Sequence, residues 1–319
     1  MLDNLIFSLN STMPLFFIMV LGYVLYQRRF LTDGFVSVAN KFVFNITLPV
    51  MLFCDLASTD IRGNFDSAYV GYCAGATVLS IVVVWALAKL LMRDKSLVGE
   101  FVQACYRSSA AILGTAFIQN LYGTSGMAGL MILGSVPLYN IFAVLILVLE
   151  CPAGTPDEPL RQKLGRSLRE ILTNPTLLGV LTGLAASLLR LPIPTMAEKT
   201  MASIGSLTSP LALLAIGAGF RGRDALAKLA PTAAASFIKL MVLPGVFLPL
   251  AVYFGFTDQK LVALIAMLGS ITTPSAYIMA KQMGHDGTLT GSVCAVTTVF
   301  SALTMTFWMF WARSGGYIL

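Results

Sequence analysis

The sequence predicts an all-α polytopic membrane protein of ten transmembrane helices, arranged as two sets of five in inverted order. Three observations carry this expectation. The chain has 319 residues, 57% hydrophobic and only 11% charged, with a mean hydropathy of +0.81, whereas a soluble domain carries roughly 25% charged residues. Its apolar residues gather into ten stretches close to the ~20 residues that a spanning helix needs. A single gapless offset of 161 residues also brings the punctuation of the two halves into register.

Taken in order, the first stretch covers roughly residues 5–26 and holds Pro14 and Gly22; lacking a basic n-region and a small-residue cleavage site, it is expected to be a retained helix. The second, roughly 36–56, carries NKFVFNITLPVMLF, with Lys41 at its start as an interfacial anchor. The third, roughly 67–92, lies between Asp66 and Arg93. The fourth, roughly 101–121, is interrupted by Ser108, Ser109, Gly114 and Thr115, and the fifth, roughly 126–149, contains Pro137-Leu-Tyr-Asn140. A polar connection from about 150 to 173, CPAGTPDEPLRQKLGRSLREILTN, follows, and Arg161 to Leu172 has the pattern of an amphipathic surface helix. The second half continues with stretches at roughly 174–190, 200–220, 230–253, 260–281 and 288–312. The chain thus divides into 1–150, a connecting loop at 151–173, and 174–319.

Lysine and arginine set the orientation. One side collects Arg28, Arg29, Arg93, Lys95, Arg161, Lys163, Arg166, Arg169, Arg221, Arg223, Lys228 and Lys281; the other has Arg62, Arg190, Lys199, Lys260 and Arg313. The richer side is predicted to be cytoplasmic, with both termini outside. The net charge of +6 is spread over short loops and does not point to nucleic acid. Cys54, Cys73, Cys105, Cys151 and Cys294 show no metal-ligand spacing and read as free thiols. There is no phosphate-cradling glycine loop, motor domain or paired catalytic group, so neither an enzyme nor an ATP-driven pump is expected.

The repeat rests on pairs at the one offset: Pro14 with Pro175, Gly22 with Gly183, Asn45 with Ser206, Thr47 with Thr208, Pro49 with Pro210, Gly123 with Gly284, and Asn140 with Ser301. Five helices is an odd number, so the second set enters the membrane inverted, as in many secondary transporters. The ninth stretch holds Gly269-Ser-Ile-Thr-Thr-Pro-Ser-Ala-Tyr277. Pro274 removes a backbone N–H in mid-segment, and Thr272, Thr273 and Ser275 crowd the same turn. Two readings stand: a kink used for packing, or a broken helix whose ends face a midplane site. The interrupted fourth stretch is its repeat partner and favours the second reading. Half-helix N-termini there suit a carboxylate.

Among ionisable groups, Lys239 lies about 10–14 Å into the eighth stretch at 1.5 Å per residue, placed either to attract an anion or occupy a cation position near the crossing, or to snorkel toward the cytoplasm. Arg107 is read at the cytoplasmic start of the fourth stretch, steering anions inward. Asp55, Asp66 and Glu150 fall at helix ends. His285 stands in a loop before Asp286 and is a poor metal or catalytic candidate. No acidic pair lies at mid-membrane, and the choice between proton and sodium coupling stays open; no cofactor or metal is expected.

With NKFVFNITLPVMLF, YRSSAAILGTAFIQNLYG, PLYN, NPTLLGVLTGL, SLTSPLALLAIGAGF and TTPSAYIMAKQMGHDG in this order over nearly its whole length, the chain resembles the auxin efflux carrier family, which includes plant auxin exporters and bacterial malate and malonate carriers. The resemblance implies a scaffold of helices 1, 2, 6 and 7 and a transport unit of helices 3–5 and 8–10, similar to the bile-acid and sodium–proton carrier fold, with crossing helices 4 and 9 and elevator-type movement. The family commonly has asparagine at the Ser109 position and proline at that of Ala116, so the first-half break here depends on Gly114 and the serines. The expected substrate residues are Asn45, Thr47, Ser108, Ser109, Gly114, Thr115, Asn140, Lys239, Thr272, Thr273, Pro274 and Ser275. The expected function is transport of a small mono- or dicarboxylate such as malonate or malate, or an auxin-like acid, across a bacterial inner membrane, by a protein that is often a homodimer in this family. A sodium symporter of the bile-acid type and a ligand sensor that moves nothing are the alternatives.

The basic asymmetry yields a topology test. Cysteines placed at 155–170 are expected to resist membrane-impermeant maleimide in intact cells and to react after permeabilisation; labelling from outside would reverse the assigned orientation.

Overall fold

The computed structural model describes residues 2–58, 66–111, 118, 121–122, 126–151, 173–220 and 227–318, and every regular element among them is helical. The first half contains α1 (Leu2–Gln27), α2 (Asp33–Phe42), α3 (Leu48–Ala57), α4 (Ser67–Leu91), α5 (Val98–Tyr106) and α6 (Gly126–Leu149). The second contains α7 (Pro175–Leu189), α8 (Thr195–Ser206), α9 (Thr208–Gly219), α10 (Leu229–Phe237), α11 (Leu243–Tyr253), α12 (Asp258–Gly269), α13 (Pro274–Gln282) and α14 (Thr288–Ser314). Among the described residues six continuous helices are long and apolar enough to cross a membrane: Asp33–Ala57, Ser67–Leu91, Met127–Leu149, Thr195–Gly219, Leu229–Tyr253 and Thr288–Ser314. The pair α12 and α13, bent by 41°, makes a seventh, and Met13–Gln27 and Pro175–Leu189 are shorter apolar helices. The amphipathic stretch Arg161 to Leu172 and most of the connecting loop lie outside the described residues.

Prolines shape the long helices. A proline cannot donate to the carbonyl four residues back and crowds it. Ahead of Pro49 the chain forms a π turn at Val43–Thr47, and ahead of Pro244 another at Ile238–Val242, the wider turn relieving that crowding. The carbonyl that Pro244 leaves without an amide, Leu240 O, accepts from the Trp308 indole N–H of α14 at 3.0 Å.

The helices fall into two packed groups. In the first, α1 lies along α9, α3 along α7, and α8 along α3. Two glycines let these backbones touch: a Cβ at Gly22 would stand 2.4 Å from Leu214 O, and one at Gly183 would stand 2.7 Å from Phe53 O. Gly22 and Gly183 are 161 positions apart, and so are Phe53 and Leu214; the same glycine-to-backbone contact is made twice. The Thr208 hydroxyl meets the Thr47 hydroxyl at 2.9 Å, again across 161 positions.

The second group is α4 to α6 with α10 to α14. Its members are tied at both ends by charge. Lys260 at the start of α12 pairs with Asp66, the N-cap of α4, at 2.5 Å and holds that carboxyl below the usual carboxylate range. At the other end Lys89 pairs with Glu150 at 2.7 Å, the Trp85 indole donates to the same carboxylate at 2.8 Å, and Lys228 pairs with Asp286. Glu100 of α5, 1% exposed, accepts from the backbone N–H groups of Gly287 (2.8 Å) and Thr290 (3.0 Å) at the start of α14, where a carboxylate is favoured by both the unpaired amides and the helix dipole. The groups meet where α1 runs along α14 and α9 along α13.

Adding a methyl at Gly22 forces α1 away from α9. Gly22→Ala is expected to lower stability by about 1–3 kcal/mol, read as the thermal midpoint of the detergent-purified protein. Gly75→Ala, where nothing lies within 4 Å of the added carbon, is the control and is expected to leave the midpoint unchanged or raised.

Candidate functional site

Both interrupted helices stop in the interior of the second group. The backbone turns extended at Arg107 (φ −68°, ψ 124°) after α5 and at Ser270 (φ −75°, ψ 170°) after α12. At this point the two segments meet: Ser109 N–H donates to Ile271 O at 3.0 Å. A helix end leaves carbonyls without intrahelical donors, and hydrocarbon offers none. Here side chains from neighbouring elements serve as donors. Ala104 O accepts from the Thr272 hydroxyl at 2.8 Å, Met267 O from the Ser108 hydroxyl and from Tyr139 Oη at 3.3 Å, and Leu268 O from Lys239 Nζ at 3.0 Å. Thr272 N–H donates to Thr297 Oγ1 at 3.1 Å, and Gln103 Nε2 reaches over to Ala276 O at 3.1 Å.

Lys239 is fully buried beneath this crossing. Its ammonium also contacts Ser108 Oγ and, at 3.5 Å, Tyr106 O. One cation therefore serves the C-terminal ends of both half-helices, the ends where the helix dipole favours positive charge. Its donors are used within the protein fold, and the side chain does not extend toward the membrane surface.

Pro274 is the first residue of α13, the helical position whose missing N–H costs nothing. Thr273 precedes it as an extended N-cap without a side-chain capping bond. The opening turn of α13 faces Arg107, which lies nine residues past the start of α5, or about 13 Å along the helix axis; its position is the crossing, not the membrane surface expected from the sequence. The side chain is 3% exposed; Nη2 donates to Asn140 Oδ1 at 3.0 Å and to Ser275 Oγ at 3.2 Å, and Nη1 contacts Met279 Sδ at 2.6 Å. Asn140 is held in turn by its own Nδ2, which donates to Val136 O at 2.9 Å.

Arg107, Ser108, Ser109, Asn140, Thr273 and Ser275 line one side of a cavity of about 40 Å³, and Met51, Leu52, Asp55, Thr208 and Ser209 of the other helix group line the opposite side. By the size of a water site, that volume holds roughly three waters, comparable with one carboxylate group. The cavity thus lies between the two packed groups, with hydroxyls, an amide, a guanidinium and the Asp55 carboxyl on its walls.

Of the predicted site residues, the structure brings Ser108, Ser109, Asn140, Thr273, Pro274 and Ser275 together at or beside this cavity. Thr272 and Lys239 hold the crossing from behind and are not in its lining. Thr47 reaches the cavity only through Thr208. Asn45 stands apart on an exposed surface, its amide bonded to Lys41 O at 2.8 Å. Gly114 and Thr115 lie outside the described residues. Gln103, Tyr139, Thr297 and Glu100 escaped the sequence reading. For Gln103 a signal existed, a polar amide inside an apolar stretch four residues before Arg107; Thr297 looks like any other helix-interior threonine until its partner is seen.

A model of the family described as "Membrane transport protein" matches residues 7–309. A protein of Rhizobium meliloti named "Putative malonate transporter" is 23% identical to the chain over 317 residues, covering 95% of this chain and 95% of that protein. An "Uncharacterized transporter" of Methanothermobacter thermautotrophicus is 18% identical over 304 residues, covering 94% of this chain and 97% of that protein.

Removing the Lys239 ammonium leaves buried carbonyls without a donor, at about 1–3 kcal/mol each. Lys239→Met is therefore expected to lower the thermal midpoint of the purified protein strongly, whereas Lys41→Met, at an exposed position, is expected to leave it unchanged. Equal midpoints for the two variants would show that the crossing does not rely on Lys239.

Proposed function

The chain belongs to the membrane transport protein family, that of the auxin efflux carriers, and from this premise we propose that it is a secondary carrier of small organic anions, foremost mono- or dicarboxylates such as malonate. The observation that carries this reading is the cavity at the Ser109–Ile271 crossing, where hydroxyls, Asn140 and a buried guanidinium converge beside the start of α13. An anion is the ligand that such a site suits. The name of the Rhizobium meliloti relative supports malonate as the first acid to try.

The proposed architecture is ten spans in two inverted sets of five. The doubled glycine contact and the Thr47–Thr208 pair, both at the offset of 161, support it. So do the matching bounds: Ser67–Leu91 moved by 161 falls within one residue of Leu229–Tyr253 at each end. In this proposal α1, α2–α3, α7 and α8–α9 form the scaffold, and the other helices slide against it to expose the cavity to each side in turn. The site in the bacterial inner membrane, the outside termini and a homodimer are parts of the same proposal. Neither proton nor sodium coupling is favoured by a particular residue.

Purified protein in proteoliposomes is expected to take up labelled malonate. Binding without flux would favour a sensor, and uptake that requires sodium would favour a symporter. Pro274→Ala releases Thr273 from the extended backbone that a following proline imposes and favours a continuous helix, so it is expected to reduce uptake at least about tenfold, ~1.4 kcal/mol in the rate, at unchanged abundance. Normal uptake by this variant would make the break a packing feature and place the substrate elsewhere.

A further inference from the structure

Building on the carrier reading, we propose that Arg107 is the anchor for the substrate's carboxylate, presented by Asn140 and Ser275, and that the site selects acids bearing a full negative charge. A guanidinium buried without a counter-charge is costly, by several kcal/mol even after the surroundings relax. Arg107 is 3% exposed, and the ion pairs among the described residues, Lys89–Glu150, Lys228–Asp286 and Lys260–Asp66, do not include it. Its contacts are neutral: an amide oxygen, a hydroxyl and a thioether. Its Nε–H, fully enclosed, meets no acceptor. A buried cation lining a cavity whose one carboxyl among the described residues, Asp55, comes from the other helix group is arranged for an anion from solution.

The neighbours orient the group. Asn140 Oδ1 is directed at Nη2 because its Nδ2 is held by Val136 O, and Ser275 Oγ bonds to the same nitrogen while paired with Thr273 Oγ1 at 3.1 Å. These contacts fix the guanidinium plane without neutralising it. A carboxylate in the cavity would then meet the guanidinium and the hydroxyls around it, a charge-assisted arrangement that a lysine reproduces only as a point charge. The cavity of about 40 Å³ has room for one carboxylate group, and the rest of the acid would lie outside it.

The test is binding of sodium malonate to the full chain in nanodiscs by calorimetry, with malonamide as the uncharged probe. Wild type is expected to bind malonate and not malonamide. Arg107→Gln is expected to weaken malonate binding at least about tenfold, in line with the loss of a charged hydrogen bond, and Arg107→Lys to weaken it less. Asn140→Asp places a carboxylate against Nη2, supplies the missing counter-charge from within, and is expected to weaken malonate binding as much as Arg107→Gln does. This second variant decides the matter if Arg107→Gln fails to fold. If every folded variant binds malonate within twofold of wild type, Arg107 is not the anchor. If wild type neither binds nor transports malonate, succinate or acetate, the carrier reading fails, and the anchor with it.

Discussion

Everything in this fold depends on one constraint: peptide groups freed inside a membrane must find partners in the protein. Two helices are interrupted in the interior, and the bond from Ser109 N–H to Ile271 O joins the interruptions to each other. The freed carbonyls of Ala104, Met267 and Leu268 are claimed by Thr272, by Ser108 and Tyr139, and by Lys239. The donors come from α6, the turn ahead of α11, and the two broken segments themselves. The crossing is therefore also the joint that holds the second helix group together.

That dependence explains the division of labour between the helix groups. The group containing the crossing is fastened internally by hydrogen bonds at its centre and by ion pairs at both ends, at Asp66–Lys260 on one side and at Glu150 and Asp286 on the other. The other group is held by backbone contacts at glycines, which need a close fit and no charge. Between the groups, α1 runs along α14 and α9 along α13, and Asn40 of α2 bonds Tyr277 of α13 across the same boundary. The cavity lies on the same boundary, with the polar groups of the crossing on one wall. Two cations stand close together there: Lys239 bonds the helix ends, and Arg107 lines the cavity.

Much of this was legible in the sequence, for physical reasons. Apolar length revealed most of the helices, because a spanning helix has to be apolar for about 20 residues. Pro274 and its hydroxyl neighbours revealed the second break, because proline cannot be silent in mid-membrane. The offset of 161 recovered the Gly22–Gly183 and Thr47–Thr208 correspondences, since a repeated contact imposes repeated small residues. Depth was harder to read. Arg107 was placed at a membrane surface because charge in an apolar stretch usually lies near an end, whereas α5 is only nine residues long and ends at the crossing. Asn45 had the right residue type and the right motif but faces away from the cavity. The direction of a side chain depends on the π turn beside it, which periodicity does not disclose.

The central claim is that the crossing faces each side of the membrane in turn. The direct measurement is reactivity of a cysteine at Ala111, a half-buried residue of the cavity lining, with Cys54 and Cys151, the two partly exposed native thiols, replaced by serine. Membrane-impermeant maleimide applied to right-side-out and to inverted vesicles is predicted to label this cysteine from both sides, and malonate is predicted to slow both reactions. Labelling from one side only, under every substrate condition, would contradict the account.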